Sequence, residues 1–209
     1  MRALIHIGSG KTGTTSIQEA LARSSKQLQA NGYFYPVIDR TPNHNYLAAP
    51  FKQRQPRRLV QRDGNLENAK RVADEKWNDV RVTAAREKPH TLVLSAEYLF
   101  HSLDVTAFMD CLHHHVPGIT SIEIIAYLRR PSSYYLSRSQ QQLKGSPSFA
   151  VPRKQSYVES LRPWAGFGDV HLAEFNRRML VDGDVLRDFW KRYLTGLDCR
   201  LSQAESVRT

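Results

Sequence analysis

The feature that most restricts this chain is at its start. A short apolar run, Ala3–Ile7, passes directly into the glycine-rich segment Gly8–Gly13, and a helical pattern begins at Thr14. The run reads as a strand, and Ile17, Leu21 and Leu28 mark the apolar side of a helix that Asn31-Gly32 ends. A glycine turn between a strand and a helix lets the backbone approach a ligand closely. It also aims free N–H groups and the positive end of the helix at that ligand, an arrangement that favours an anion.

The same alternation continues. Leu66, Ala69, Ala73, Trp77, Val80 and Ala84 form a one-face helical pattern to about Arg86. Thr91–Ser95 reads as a strand leading to Ala96-Glu97, and Asp104 as the cap of a helix with Val105, Phe108, Met109 and Leu112 inside. Ile122–Leu128 is a second strong strand, followed by Arg129-Arg130 and by Pro131, which suits the first turn of a helix to about Leu143. A short helix at Tyr157–Trp164, a strand Val170–Phe175 and a helix Val185–Tyr193 complete the series. Two polar stretches, Arg40–Gly64 with Pro42, Pro50 and Pro56, and Gly145–Lys154, read as loops. Strands alternating with helices predict an α/β protein with a parallel sheet covered on both faces. Ligands of such sheets bind beyond the carboxyl ends of the strands, where the glycine loop, Glu97 and Arg129 all fall.

With 209 residues, one domain is expected. Lys and Arg number 30 against 20 Asp and Glu, a formal charge of +10 that favours anionic partners without naming one. No apolar stretch reaches the length of a signal peptide's core or of a membrane span. Cys111 and Cys199 form neither a disulfide framework nor a CxxC site, so a soluble protein of a reducing, cytoplasmic compartment is expected. His113-His114-His115 reads as a helix end rather than a metal site, and no nucleic-acid motif is present.

Gly10-Lys11-Thr12 invites comparison with the loop of nucleoside triphosphatases, but that pattern needs glycine where Ile5 stands. Counting from Gly8 and Gly13 instead places Thr14 where lysine is required. The loop is suited to phosphate with a different spacing.

Gly8-Ser9-Gly10-Lys11-Thr12-Gly13-Thr14-Thr15-Ser16-Ile17-Gln18 resembles the 5′-phosphosulfate loop of sulfotransferases that use 3′-phosphoadenosine 5′-phosphosulfate (PAPS), above all bacterial relatives reading K-T-G-T-T-S-x-Q. A second hallmark of that family is a strand ending in Arg with Ser eight residues later, here Arg129 and Ser137. Gly183-Asp184 and Asp188-Phe189 extend the likeness to about residue 190. The resemblance implies a P-loop-NTPase-like three-layer fold and sulfuryl transfer from PAPS to a hydroxyl or amine, of a carbohydrate or glycolipid, with no metal. It implies that Gly10, Lys11, Thr12, Gly13, Thr14 and Thr15 hold the phosphosulfate, that Arg129 and Ser137 hold the 3′-phosphate, and that Lys11 stabilises the leaving group. Family members commonly use a Glu as base, which points to Glu97; His44, and after it His101, are the alternatives. Tyr134, Tyr135, Trp164 and Phe167 are candidates for stacking on adenine or sugar, or for the core. Relatives continue into a further helix and a lid loop, whereas this chain ends after Leu201–Thr209. The Gly10-Lys11-Thr12 triplet leaves an NTP-dependent kinase as one competing reading, and the short end a catalytically silent, truncated nucleotide-binding module as another.

Overall fold

The architecture is taken from a computed structural model that describes residues 1–37, 41–53, 66–145 and 156–197. Most of the second half of the first expected loop, nearly all of the Gly145–Lys154 loop, Cys199 and Leu201–Thr209 lie outside these residues. The described elements run β1 (Arg2–Ile7), α1 (Thr14–Arg23), α2 (Ser25–Ala30), β2 (Tyr33–Phe34), α3 (Asn45–Ala48), α4 (Leu66–Glu87), β3 (Thr91–Ala96), α5 (Val105–His115), β4 (Ser121–Leu128), α6 (Pro131–Gly145), α7 (Tyr157–Leu161), β5 (Asp169–Glu174) and α8 (Val185–Tyr193). The five strands form one all-parallel sheet in the order β2-β3-β1-β4-β5. The expected α/β class, with a parallel sheet between helices, is what the chain adopts.

Side chains of a strand alternate between faces, and here each face carries its own helix layer. Ile5 and Ile7 of β1, Leu92 and Leu94 of β3, and Ile124 of β4 pack with Trp77 of α4 and Phe108 of α5. Leu4, Val93, Ile125 and Tyr127 point the other way, against Ile17 and Leu21 of α1 and Phe189 and Trp190 of α8. Because both faces are covered, β1 is buried from Ala3 to Ile7. Asp188 ties the second layer to the sheet. Fully buried, its carboxylate accepts from the Tyr127 hydroxyl (2.8 Å) and the Val181 N–H (3.0 Å) and pairs with Arg192 (2.9 Å).

Helix starts follow local chemistry. Asp104 accepts from the Ala107 N–H at 3.0 Å and caps α5, and Asp184 accepts from the N–H groups of Leu186 and Arg187 to cap α8. Two expectations need revision, and one strand was not expected. The helix expected to run to Asn31-Gly32 breaks at Ser24 into α1 and α2, each burying its own apolar residues. β2 pairs only two residues with β3, too few to show a periodicity in sequence. The stretch expected to be loop contains α3, held where Trp77 Nε1 donates to the Leu47 carbonyl at 3.2 Å. No helix among the described residues is long and apolar enough to cross a membrane.

Register positions the site. Ile7 lies opposite Ala96, and the Gly8 N–H extends that ladder by donating to the Ala96 carbonyl at 3.1 Å. On the other side of β1, His6 faces Ile125, so Arg129 emerges beyond the end of β4. The central strand and its two neighbours thus deliver the glycine loop, Glu97 and Arg129 to one edge.

Candidate functional site

The glycine loop is organised by its own carbonyl. The Thr12 and Thr14 hydroxyls both donate to the Ser9 carbonyl, at 2.7 and 3.2 Å, and both side chains are buried. This clamp turns the chain so that Lys11 adopts a left-handed conformation (φ 66°) and projects into solvent. A left-handed lysine is uncommon, and residues held in such conformations cluster at functional sites. Gly13 is left-handed too (φ 75°), and a Cβ there would come within 2.8 Å of Val185. As the residue before α1, Gly13 supplies no side-chain cap, so the first-turn N–H groups of α1 are left to whatever occupies the space in front.

That space is a cleft of about 560 Å³ lined by Gly10, Lys11, Gly13, Thr14, Thr15, Glu97, Arg129, Tyr134 and Phe175. Lys11 and Arg129, expected to grip two ends of one ligand, line the same cleft. The Arg129 guanidinium lies 4.9 Å from the Phe175 ring centre, a cation–π arrangement that holds its fork in place. Its neighbour Arg130 turns outward and pairs with Glu174 at 2.9 Å, as strand alternation predicts. The Tyr134 ring lies alongside Gly10, on the cleft wall.

Glu97 follows β3 and remains solvent-accessible, but enough protein crowds its carboxylate for desolvation to raise its pKa above the ordinary value, with the Lys11 ammonium pulling the other way. A carboxylate biased toward the neutral form beside an ammonium is suited to taking up a proton.

Other expected site residues lie elsewhere. His44 is not in the cleft. It is buried, its Nδ1 accepts from the Ser95 N–H at 2.9 Å, and the proton on Nε2 is therefore donated to the Pro36 carbonyl at 2.6 Å. Burial lowers its pKa to about 4. Both ring nitrogens are committed to the fold, so His44 is corrected from candidate base to structural residue. His101 also lies off the cleft, half-buried with Nδ1 2.6 Å from the Ser160 hydroxyl. Thr12 contributes by holding the loop and does not line the cleft, while Thr15 presents an exposed hydroxyl there. Ser137 is half-buried on α6 and is not among the lining residues. Tyr135 is exposed, while Trp164 is fully buried in the core, with Phe167 packed against that cluster.

Two features escaped the sequence. Phe175 was visible only as a strand end, yet it backs Arg129. Beneath the loop, fully buried His6 meets the Ser95 hydroxyl at 2.8 Å, and burial lowers its pKa to about 3. Ser95 thus bonds to His6 through its hydroxyl and to His44 through its N–H. Nothing in the spacing of residues 6, 44 and 95 announces this. Neither a scan against protein-family models nor a search of the curated proteins finds a match for this chain.

Proposed function

We propose that the cleft binds adenosine carrying phosphate at both the 3′ and 5′ positions, and that the chain is a PAPS-dependent sulfotransferase of P-loop-NTPase-like fold. The observation that carries the reading is the meeting of Lys11 and Arg129 on one cleft. The strand order β2-β3-β1-β4-β5, with the phosphate-style loop after the central strand, supports the fold assignment. Lys11, the Thr15 hydroxyl and the uncapped start of α1 would hold the 5′ group, Arg129 the 3′-phosphate, and the Tyr134 ring offers a stacking surface.

In such a transfer the acceptor oxygen attacks sulfur, and the bond between sulfur and the bridging phosphate oxygen breaks. The acceptor proton passes to Glu97, and adenosine 3′,5′-bisphosphate leaves with the new negative charge. Lys11 stabilises that charge where it develops. The acceptor is a hydroxyl or amine, with carbohydrate or glycolipid the class the resemblance suggests.

Calorimetry of the full chain with adenosine 3′,5′-bisphosphate, adenosine 5′-monophosphate and ATP, each with and without Mg²⁺, tests the reading. Tighter binding of the bisphosphate, independent of Mg²⁺, is expected. Mg²⁺-dependent preference for ATP would replace it with the kinase reading, and bisphosphate binding without sulfuryl transfer to any acceptor would leave a silent nucleotide-binding module.

A further inference from the structure

A second cleft opens at the opposite end of the sheet. It lies where the carboxyl ends of α4 and α5 approach the amino ends of the strands, and its volume is about 600 Å³. That is within the ~300–1,000 Å³ typical of small-molecule sites. At about 3.3 Å per strand residue, the six residues of β1 separate it from Lys11 by roughly 20 Å.

Its lining pairs an apolar floor with a one-sign rim. Ala84, Ala85, Val116 and Pro117 supply the floor, while Arg81 and Lys88 bring positive charge and His114 and His115 imidazoles, that of His115 held toward its neutral form by burial, with no carboxylate among the described lining residues. Of the acids nearby, Glu87 pairs with Arg86 at 2.7 Å, and Asp74 is not part of the lining although its charge reaches His115. His115 lies flat on the buried Trp77 ring, with centroids 5.7 Å apart and planes 19° apart. Its Nδ1 is buried without a hydrogen-bond partner among the described residues. That nitrogen is closed off from the cleft, so a head group there meets the exposed Arg81, Lys88 and His114 instead. Basic residues in the last turn of a helix also favour its carbonyl end, but that role does not explain the apolar floor beside them.

We propose that this second cleft binds an amphiphile with a single hydrocarbon chain and an anionic head, of the fatty-carboxylate class. The chain lies on the floor formed by Ala84, Ala85 and Val116, and the carboxylate sits among Arg81, Lys88 and His114. The site is separate from the Lys11 cleft, and its occupancy does not depend on what that cleft binds.

Calorimetric titration of the full chain with dodecanoate, kept below its micelle-forming concentration, tests this. One saturable site is expected. Decanoate should bind about tenfold more weakly, from the two methylenes lost. Dodecyltrimethylammonium should not bind. Ala85→Trp, at an exposed position, should fill the cleft and abolish binding, and Arg81→Glu with Lys88→Glu should weaken it at least about tenfold. Circular dichroism checks that both variants fold. The proposal is overturned by absence of saturable binding, by equal binding of the cationic amphiphile, or by undiminished binding to the folded Ala85→Trp chain.

Discussion

Lys11 and Arg129 follow the central strand β1 and its direct neighbour β4, and their side chains line one cleft although 118 positions separate them in the chain. With Glu97 after β3 on the other side of β1, three adjacent strand ends supply two cations and a carboxylate to one space.

Arg129 should discriminate between nucleotides. Arg129→Ala is expected to weaken adenosine 3′,5′-bisphosphate by about 1.5–3 kcal/mol, roughly 10–150-fold, and to leave adenosine 5′-monophosphate nearly unaffected. Arg129→Lys should recover only part of the loss, because an ammonium cannot form the bidentate fork. Titration of both nucleotides against the three proteins decides it, and parallel losses for the two ligands would contradict the assignment.

Glu97→Gln should separate binding from chemistry. Removing a proton acceptor is expected to lower turnover by about 10²–10⁴-fold. Bisphosphate affinity should stay constant or rise, because a negative charge is removed from an anion cleft. Measuring kcat and the bisphosphate Kd on one preparation checks this, and unchanged kcat would remove Glu97 from the reaction.

Gly8 is fixed by space. A Cβ there would meet Thr14 Cγ2 at 2.5 Å, Thr14 Oγ1 at 3.0 Å and Glu97 Cγ at 3.3 Å. Gly8→Ala should therefore cost about 1–3 kcal/mol of stability. Thr14→Ser deletes the closest of these atoms, so in that background the penalty should shrink, a coupling that a double-mutant cycle in urea would reveal. Equal penalties in both backgrounds would place the strain elsewhere.

Buried imidazoles make the fold acid-sensitive. In the folded chain His6 is held at about 3 and His44 at about 4, each lowered from 6.5 by burial. Below pH 6.5 the unfolded chain binds protons that the folded chain refuses, so stability is full above that pH and falls as pH drops toward 4. By about pH 5 the loss is on the order of 2 kcal/mol for each histidine. Urea midpoints at about pH 7.5 and about pH 5 should show this decline, with a shallower slope in His44→Gln. Identical midpoints would show that neither histidine resists protonation.

Much of the architecture was legible because its signals are local. The period of Trp77, Val80 and Ala84, the cap at Asp104, Pro131 at the start of α6 and the apolar strand Ala3–Ile7 each mark an element within a few residues. Short or compensated features were not legible. β2 has two residues, and the break at Ser24 lies inside a continuous helical pattern. His44 reads as a polar loop residue until its ring nitrogens are seen bound to Ser95 and Pro36.

By itself the sequence determined which residues stand at strand ends and helix starts, and so which side chains could reach a ligand: Lys11, Glu97 and Arg129. Tertiary structure decided their company. Strand order, set by long-range packing of two helix layers on one sheet, made β3 and β4 the neighbours of β1 and brought those three residues together. The same packing turned the Thr12 and Thr14 hydroxyls onto the Ser9 carbonyl and sank His44 against β3, because a buried polar group must find its partner wherever the folded chain provides one.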